Sequence, residues 1–104
     1  MESGNFKPMN IYSETESENR RYIDVCFENG KIRMDEQDLA PGFESERCAY
    51  GIDPAPLKEL WGVSGDKELL KQIAQLYGNV HGFDQFTDFC TKQGLTYGYY
   101  SGWE

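Results

Sequence analysis

The chain has 104 residues, and its 18 Asp and Glu outnumber its 10 Lys and Arg, for a formal net charge of −8. This length suits one domain with a single core. Because phosphate contacts require clustered Lys and Arg, so acidic a chain is not expected to bind nucleic acid directly, and its charge favours a basic protein as partner. Aromatic residues make up 14% of the chain, and their rings provide enough contact area to close a small core.

Residue types that bind metals and cofactors are scarce. One histidine and three widely spaced cysteines lack the spacing of a zinc site, and residues 35–39 break the alternating oxygen pattern of a calcium loop. We therefore expect no metal and no cofactor. The odd number of cysteines (Cys26, Cys48, Cys90) is typical of reduced thiols, and there is neither a signal peptide nor an apolar run of roughly 18 residues. These features predict a cytoplasmic protein that does not enter a membrane.

Residues 1–19 are predicted to form a flexible or edge-strand segment that precedes a single compact domain at residues 20–104. Residues 9–12 suit a short edge strand. Residues 13–19 alternate acids with hydroxyl side chains and have no apolar residue to bury, which indicates a loop or a mobile turn.

The clearest local pattern is a hairpin over residues 21–35. Asn29-Gly30 tolerates the positive φ values of a two-residue type I′ turn, and it lies between two segments of alternating polarity. The turn pairs Glu28 with Lys31, which places Ile23, Val25, Phe27, Ile32 and Met34 on one face and Asp24, Glu28, Lys31 and Arg33 on the other. The turn and the polarity agree on one register.

The polar stretch from Asp35 to Arg47, which contains Pro41-Gly42, is interpreted as a loop projecting from this hairpin. Residues 48–52 suit another short strand. Three helices are predicted next, over residues 54–61, 66–77 and 83–93. Asp53-Pro54 is a typical helix start, and apolar residues recur at helical spacing in each segment.

A C-terminal strand is predicted over residues 95–100, with Tyr99 and Tyr100 on opposite faces. The order of strands, helices and a final strand indicates an α+β fold. We expect a small antiparallel sheet with two to three helices packed on one face.

Acidic residues are concentrated in the first half of the chain. Residues 1–53 contain 12 acids and 6 bases, whereas residues 54–104 contain 6 acids and 4 bases. Such a run is often only a solvated surface, but it can also steer a basic partner into contact. The acidic candidates for partner binding are Glu14, Glu16, Glu18, Asp35, Glu36, Asp38, Glu44 and Glu46.

The aromatic tail supplies the other candidates, namely Tyr97, Tyr99, Tyr100 and Trp103. These rings could serve core packing, or they could form a contact surface, because Tyr and Trp are enriched at binding hot spots. Among catalytic arrangements, a carboxylate pair is common to any acidic protein, and the only nucleophilic site that the spacing suggests combines Cys90, His81 and a nearby Asp. The nucleophilic site is disfavoured because Cys90 falls on the apolar stripe of the third helix, and the carboxylate pair because a chain of this size is not expected to form a deep cleft.

In size and charge the chain resembles small acidic proteins that inhibit nucleic-acid-handling proteins by occupying their basic surfaces. Phage-encoded anti-restriction and anti-CRISPR proteins and nuclease-toxin immunity proteins are of this type. The leading hypothesis is therefore a non-enzymatic protein that neutralises a basic partner, such as a nuclease or a nucleic-acid-binding complex, in one version by mimicking DNA. The alternative is an adaptor that binds through its aromatic strand or helical face, with acidity serving only solubility. A homodimer is compatible with either hypothesis.

Overall fold

A computed structural model describes residues 7–15 and 18–103. The described residues form five strands and three helices in the order β1 (Met9–Glu14), β2 (Arg21–Glu28), β3 (Lys31–Ala40), β4 (Phe43–Ile52), α1 (Pro54–Trp61), α2 (Asp66–Tyr77), α3 (Gly82–Lys92) and β5 (Gly98–Trp103). The strands build one antiparallel sheet in the spatial order β1-β2-β3-β4-β5. The predicted α+β fold with helices on one face of the sheet is confirmed.

The β2–β3 hairpin has the predicted turn and register. Asn29 and Gly30 have φ values of 54° and 78°, as a type I′ turn requires. Glu28 pairs with Lys31 and Val25 with Met34. The side chains of Ile23, Val25, Ile32 and Met34 are fully buried against the helices. We call this side of the sheet the helix face.

The predicted loop over residues 35–47 is wrong. β3 continues to Ala40 and β4 begins at Phe43, so this acidic stretch consists of two paired strands joined by Pro41-Gly42. Proline sets a negative φ and Gly42 has a φ of 73°, a combination that fits a type II turn. Arginines on neighbouring strands hold two carboxylates of the stretch, Glu36 and Asp38, as described below, and this pairing stabilises strands that carry few apolar residues.

The three helices lie between β4 and β5 in the chain and cover the helix face. α1 begins as predicted, with the Asp53 carboxylate accepting a hydrogen bond from the Ala55 amide at 3.1 Å. Leu69, Leu70 and Ile73 of α2 and Phe83 and Phe86 of α3 are buried, and they complete the core with the sheet residues. Leu60 of α1 and Leu76 of α2 also belong to the apolar spacing of these helices, but they are 52% and 44% exposed.

The two ends of the chain differ in part from expectation. β5 spans residues 98–103 rather than 95–100, because Leu95 and Tyr97 pack against the core before the strand starts. β1 is an edge strand with a bulge between Asn10 and Tyr12. The remainder of the segment expected to be flexible includes residues 1–6 and 16–17, which lie outside the described residues.

Candidate binding surface

The side of the sheet opposite the helices is polar and partly exposed, and we call it the open face. Side chains alternate along each strand, so the open face receives every second residue. Within residues 21–52 its charged members are Asp24, Glu28, Lys31, Arg33, Asp35, Glu44 and Glu46. Five carboxylates against two bases give this part of the face a net charge of −3.

Three of the predicted acidic site residues are held by the protein's own arginines. Asp35 contacts Arg33 at 3.1 Å across the open face. Asp38 contacts Arg21 at 2.8 Å on the helix face. Hydrogen bonding to Asp38 raises the pKa of Arg21, and hydrogen bonding to Asp35 does the same for Arg33. The charges of these carboxylates are therefore largely balanced by arginines of the same chain.

Glu36 is the third of these acids and the most buried, at 7% exposure. Arg47 of β4 donates to Glu36 from Nε at 2.8 Å and reaches Asp84 of α3 from Nη1 at 2.7 Å. The Arg47 guanidinium carbon also lies 4.5 Å from the centre of the Phe83 ring, within range of a cation–π contact. Burial acts to lower the pKa of Arg47, but hydrogen bonds to Asp84 and Glu36 outweigh it and raise the pKa. The cluster ties the sheet to α3.

The other predicted acids are more accessible. Glu44 and Glu46 are exposed on the open face near the start of β4, and neither forms an ion pair with any described cation. Glu14 accepts a hydrogen bond from the Tyr12 hydroxyl at 3.1 Å. Glu18 is exposed in the bend before β2, and Glu16 lies outside the described residues.

The aromatic candidates occupy different environments. The hydroxyl of half-buried Tyr97 lies 3.1 Å from Thr91 Oγ1, which ties it to α3. Tyr99 is 51% exposed on the helix face, with its ring centre 6.3 Å from that of Phe83. Tyr100 is 46% exposed on the open face, so the two tyrosines point to opposite sides as predicted. The backbone of Trp103 belongs to β5, and its side chain lies outside the described part of the chain.

Tyr100 and Glu46 are joined in one local unit. The Tyr100 hydroxyl donates to Glu46 Oε2 at 3.2 Å, and the negative charge of Glu46 raises the pKa of this phenol. Glu46 pairs across the strands with Gly102, and Cys48 pairs with Tyr100. A carboxylate and an exposed ring therefore lie side by side at the β5 edge of the open face.

Tyr50 is a further exposed aromatic residue that the sequence analysis did not select. It lies on the open face at 43% exposure and pairs with Gly98, and its ring occupies the space above that glycine. The alternation in residues 44–50 would have placed Tyr50 beside Glu44 and Glu46 had this segment been recognised as one strand. Tyr50, Tyr100, Glu44 and Glu46 form the surface that we call the β4–β5 patch.

The structure does not bring the suspected nucleophilic residues together. Cys90 has no exposed surface in the core, and burial raises the pKa of its thiol to about 12. His81 is exposed at the start of α3, and Asp84 holds Arg47. Cys48 is buried in the sheet, where desolvation and hydrogen bonding to Asp35 raise its pKa to about 12. Thiols with raised pKa values are poor nucleophiles at neutral pH.

Within residues 7–15 and 18–103, no group of three or more His, Cys, Asp or Glu side chains is arranged to hold a metal ion. The helices of the described residues are all too short or too polar to cross a membrane. No protein-family model, no curated protein and no solved structure matches the chain.

Proposed function

We propose that this is a non-enzymatic, cytoplasmic binding protein that blocks the basic surface of a nucleic-acid-handling partner protein. The observation that carries the proposal is the β4–β5 patch, where two carboxylates without a cation partner among the described residues lie beside two exposed tyrosines. Carboxylates steer a basic partner toward the patch, and tyrosine rings provide contact area at low entropic cost. Inhibitors of restriction, CRISPR or toxin nucleases are the functional class that this combination fits best.

The internal ion pairs change which acids we assign to the contact. Asp35, Glu36 and Asp38 each have an arginine within ion-pair distance, so a partner's cation would have to compete with it. Glu44 and Glu46 are free of this competition. The proposed contact is consequently centred on residues 44–50 of β4 and on β5, not on the acidic stretch as a whole.

Affinity capture from cells that naturally produce the chain tests the proposal. The immobilised protein is expected to retain a basic, nucleic-acid-handling protein, with retention that falls as salt rises because exposed charges are screened. The double variant Glu44→Gln/Glu46→Gln should lose most of this retention. The control variant Glu59→Gln/Asp88→Asn removes the same charge from exposed positions on α1 and α3, and it should retain the partner as well as the unaltered chain does. Equal loss in both variants, or an acidic partner, would contradict the proposal.

The internal pairing of three acids also favours a second candidate function, an adaptor that binds through its tyrosines while its acidity serves solubility. Replacement of Tyr50 and Tyr100 by serine would then abolish capture, and the glutamate variants would leave it unchanged. Salt dependence separates the two functions, because a contact dominated by aromatic rings responds weakly to ionic strength.

A further inference from the structure

The two edges of the sheet are protected to different degrees. β1 carries a bulge, and its Ile11 carbonyl lies against Gly78 at the end of α2, where an added Cβ would come within 2.6 Å of it. Bulges and covering elements are the usual means of preventing an edge strand from pairing. β5 has neither device within the described residues, and its sequence contains no proline and no charged side chain. β5 is therefore the edge open to a further strand.

Glycine leaves a gap on the open face of this edge. The open-face positions of β5 are Gly98, Tyr100 and Gly102. The Tyr50 ring fills the space above Gly98, whereas among the described residues no atom beyond Gly102 and its two chain neighbours lies within 4 Å of a Cβ built on Gly102. Gly102 is paired with Glu46, so the Glu46 carboxylate can be approached from outside the sheet across the bare backbone.

The surroundings of this gap suit a long cationic side chain. Glu46 supplies the charge on one side, and the exposed Tyr100 ring, hydrogen-bonded to Glu46, supplies an aromatic surface on the other. A Lys or Arg on an added strand would reach across Gly102 to Glu46 with its aliphatic part beside the ring. Side chains of an added strand reach one face at every second position, so the occupant is an extended segment with alternating basic residues.

We propose that the partner contributes an extended basic segment that pairs with β5 as a sixth strand, with a Lys or Arg of that segment bound by Glu46 across Gly102. This inference rests on the proposed function, because it names the part of a basic partner that the patch binds. Main-chain hydrogen bonds along β5 supply the affinity, and Glu46 fixes the register of the added strand.

The test uses the full chain and a synthetic peptide of alternating valine and lysine, with an otherwise identical peptide methylated on the backbone nitrogens along one edge. Methylation removes the donors that strand pairing needs and leaves the charge unchanged. The unmethylated peptide should bind at least about tenfold more tightly and should protect amides of residues 98–103 from hydrogen exchange. Equal binding of the two peptides overturns strand addition but preserves the proposed attraction to basic partners. Failure of both peptides to bind at low salt counts against both proposals.

Two pairs of variants locate the contact. Gly102→Val fills the gap and should weaken binding of the unmethylated peptide about tenfold or more, whereas Ser101→Val, on the other face of β5, should change it little. Glu46→Gln should weaken binding about twofold to fivefold, as expected for one partly exposed ion pair, and Glu44→Gln by less. Protection of β1 amides instead of β5 amides, or equal effects within either pair, would overturn the assignment. The NMR spectrum of the backbone amides is used to verify that each variant is folded before binding is measured.

Discussion

At the scale of single residues, the Arg47 side chain contacts three groups on the helix face. It binds a buried carboxylate of β3 and an exposed one of α3, and its guanidinium lies over the Phe83 ring. Removing one member of a buried ion pair leaves the other charge desolvated and uncompensated, which costs more than losing an exposed pair. Arg47 therefore stabilises the packing of α3 on the sheet.

The first prediction follows from this arrangement. Arg47→Met should lower the free energy of unfolding by about 2 kcal/mol, because Glu36 stays buried without its partner. Arg33→Met is the matched control, since the partners of Arg33 are side chains with 47% and 35% exposure, and it should cost about 1 kcal/mol or less. Urea denaturation measures both. Equal losses of unfolding free energy in the two variants would show that burial of Glu36 does not increase the cost of removing Arg47.

The second prediction concerns two glycines of β5. Gly98→Ala places a methyl group in the space of the Tyr50 ring, which an added Cβ would approach to 2.3 Å, so the ring must move and about 1 kcal/mol of stability is lost. The methyl group of Gly102→Ala meets no described atom within 4 Å apart from those of its chain neighbours, and the variant should change stability by less than about 0.5 kcal/mol. Urea denaturation combined with tyrosine fluorescence would detect both effects. A more costly change at Gly102 would contradict this account of the open gap.

At the scale of elements, local patterns explain what could be predicted. Asn29-Gly30 and the flanking alternation specify the β2–β3 register, because a slip of one residue would turn every apolar side chain toward solvent. Asp53-Pro54 and the apolar spacing similarly indicate where α1 and α2 begin. These signals act within a few residues of the chain, so they are readable without a tertiary structure.

The extension of β3 and the start of β4 could not be predicted in the same way. Asp and Glu disfavour strands on local grounds, and Pro41-Gly42 resembles a loop as much as a tight turn. The stabilising partners, Arg21 and Arg47, come from neighbouring strands, and pairing across strands is invisible in a local window. Because residues 35–47 were predicted to be a loop, Tyr50 was not recognised as an open-face residue. Tyr50 is one of the two tyrosines of the β4–β5 patch.

The third prediction tests an element boundary. Asp53→Ala removes the carboxylate that accepts the Ala55 amide and should lower the free energy of unfolding by about 1 kcal/mol. Glu59→Ala, at an exposed position later in α1, should change it by less than about 0.5 kcal/mol. Thermal and urea unfolding measure the difference. A cost at Asp53 no larger than at Glu59 would show that the cap is not stabilising.

At the scale of the whole molecule, buried thiols link stability to alkaline pH. Burial raises the pKa of Cys90 from an ordinary value of 9.0 to about 12, and burial together with Asp35 has the same effect on Cys48. Above pH 9 the unfolded chain releases these protons while the folded chain retains them. The contribution of these two thiols to the free energy of unfolding is therefore fully present below pH 9 and is lost progressively as pH rises toward 12.

The fourth prediction is the size of this loss. Each thiol should contribute a decline of up to about 1.4 kcal/mol per pH unit within that window. The variant Cys48→Ala/Cys90→Ala will be less stable at pH 8, but its stability should fall less steeply between pH 9 and 11. Urea denaturation across the range gives both slopes. Parallel slopes would mean that other groups, such as tyrosines and lysines, cause the alkaline loss.

The three helices separate β4 from β5 in the chain, which delays completion of the sheet. β4 ends at Ile52 and its partner β5 begins at Gly98, so the sheet gains its fifth strand only after the intervening residues have been synthesised and folded. Pairings between distant segments form late, because a large loop must close first. A nascent chain would expose β4 as its outermost strand until then. The β4–β5 patch would accordingly form only with the completed fold.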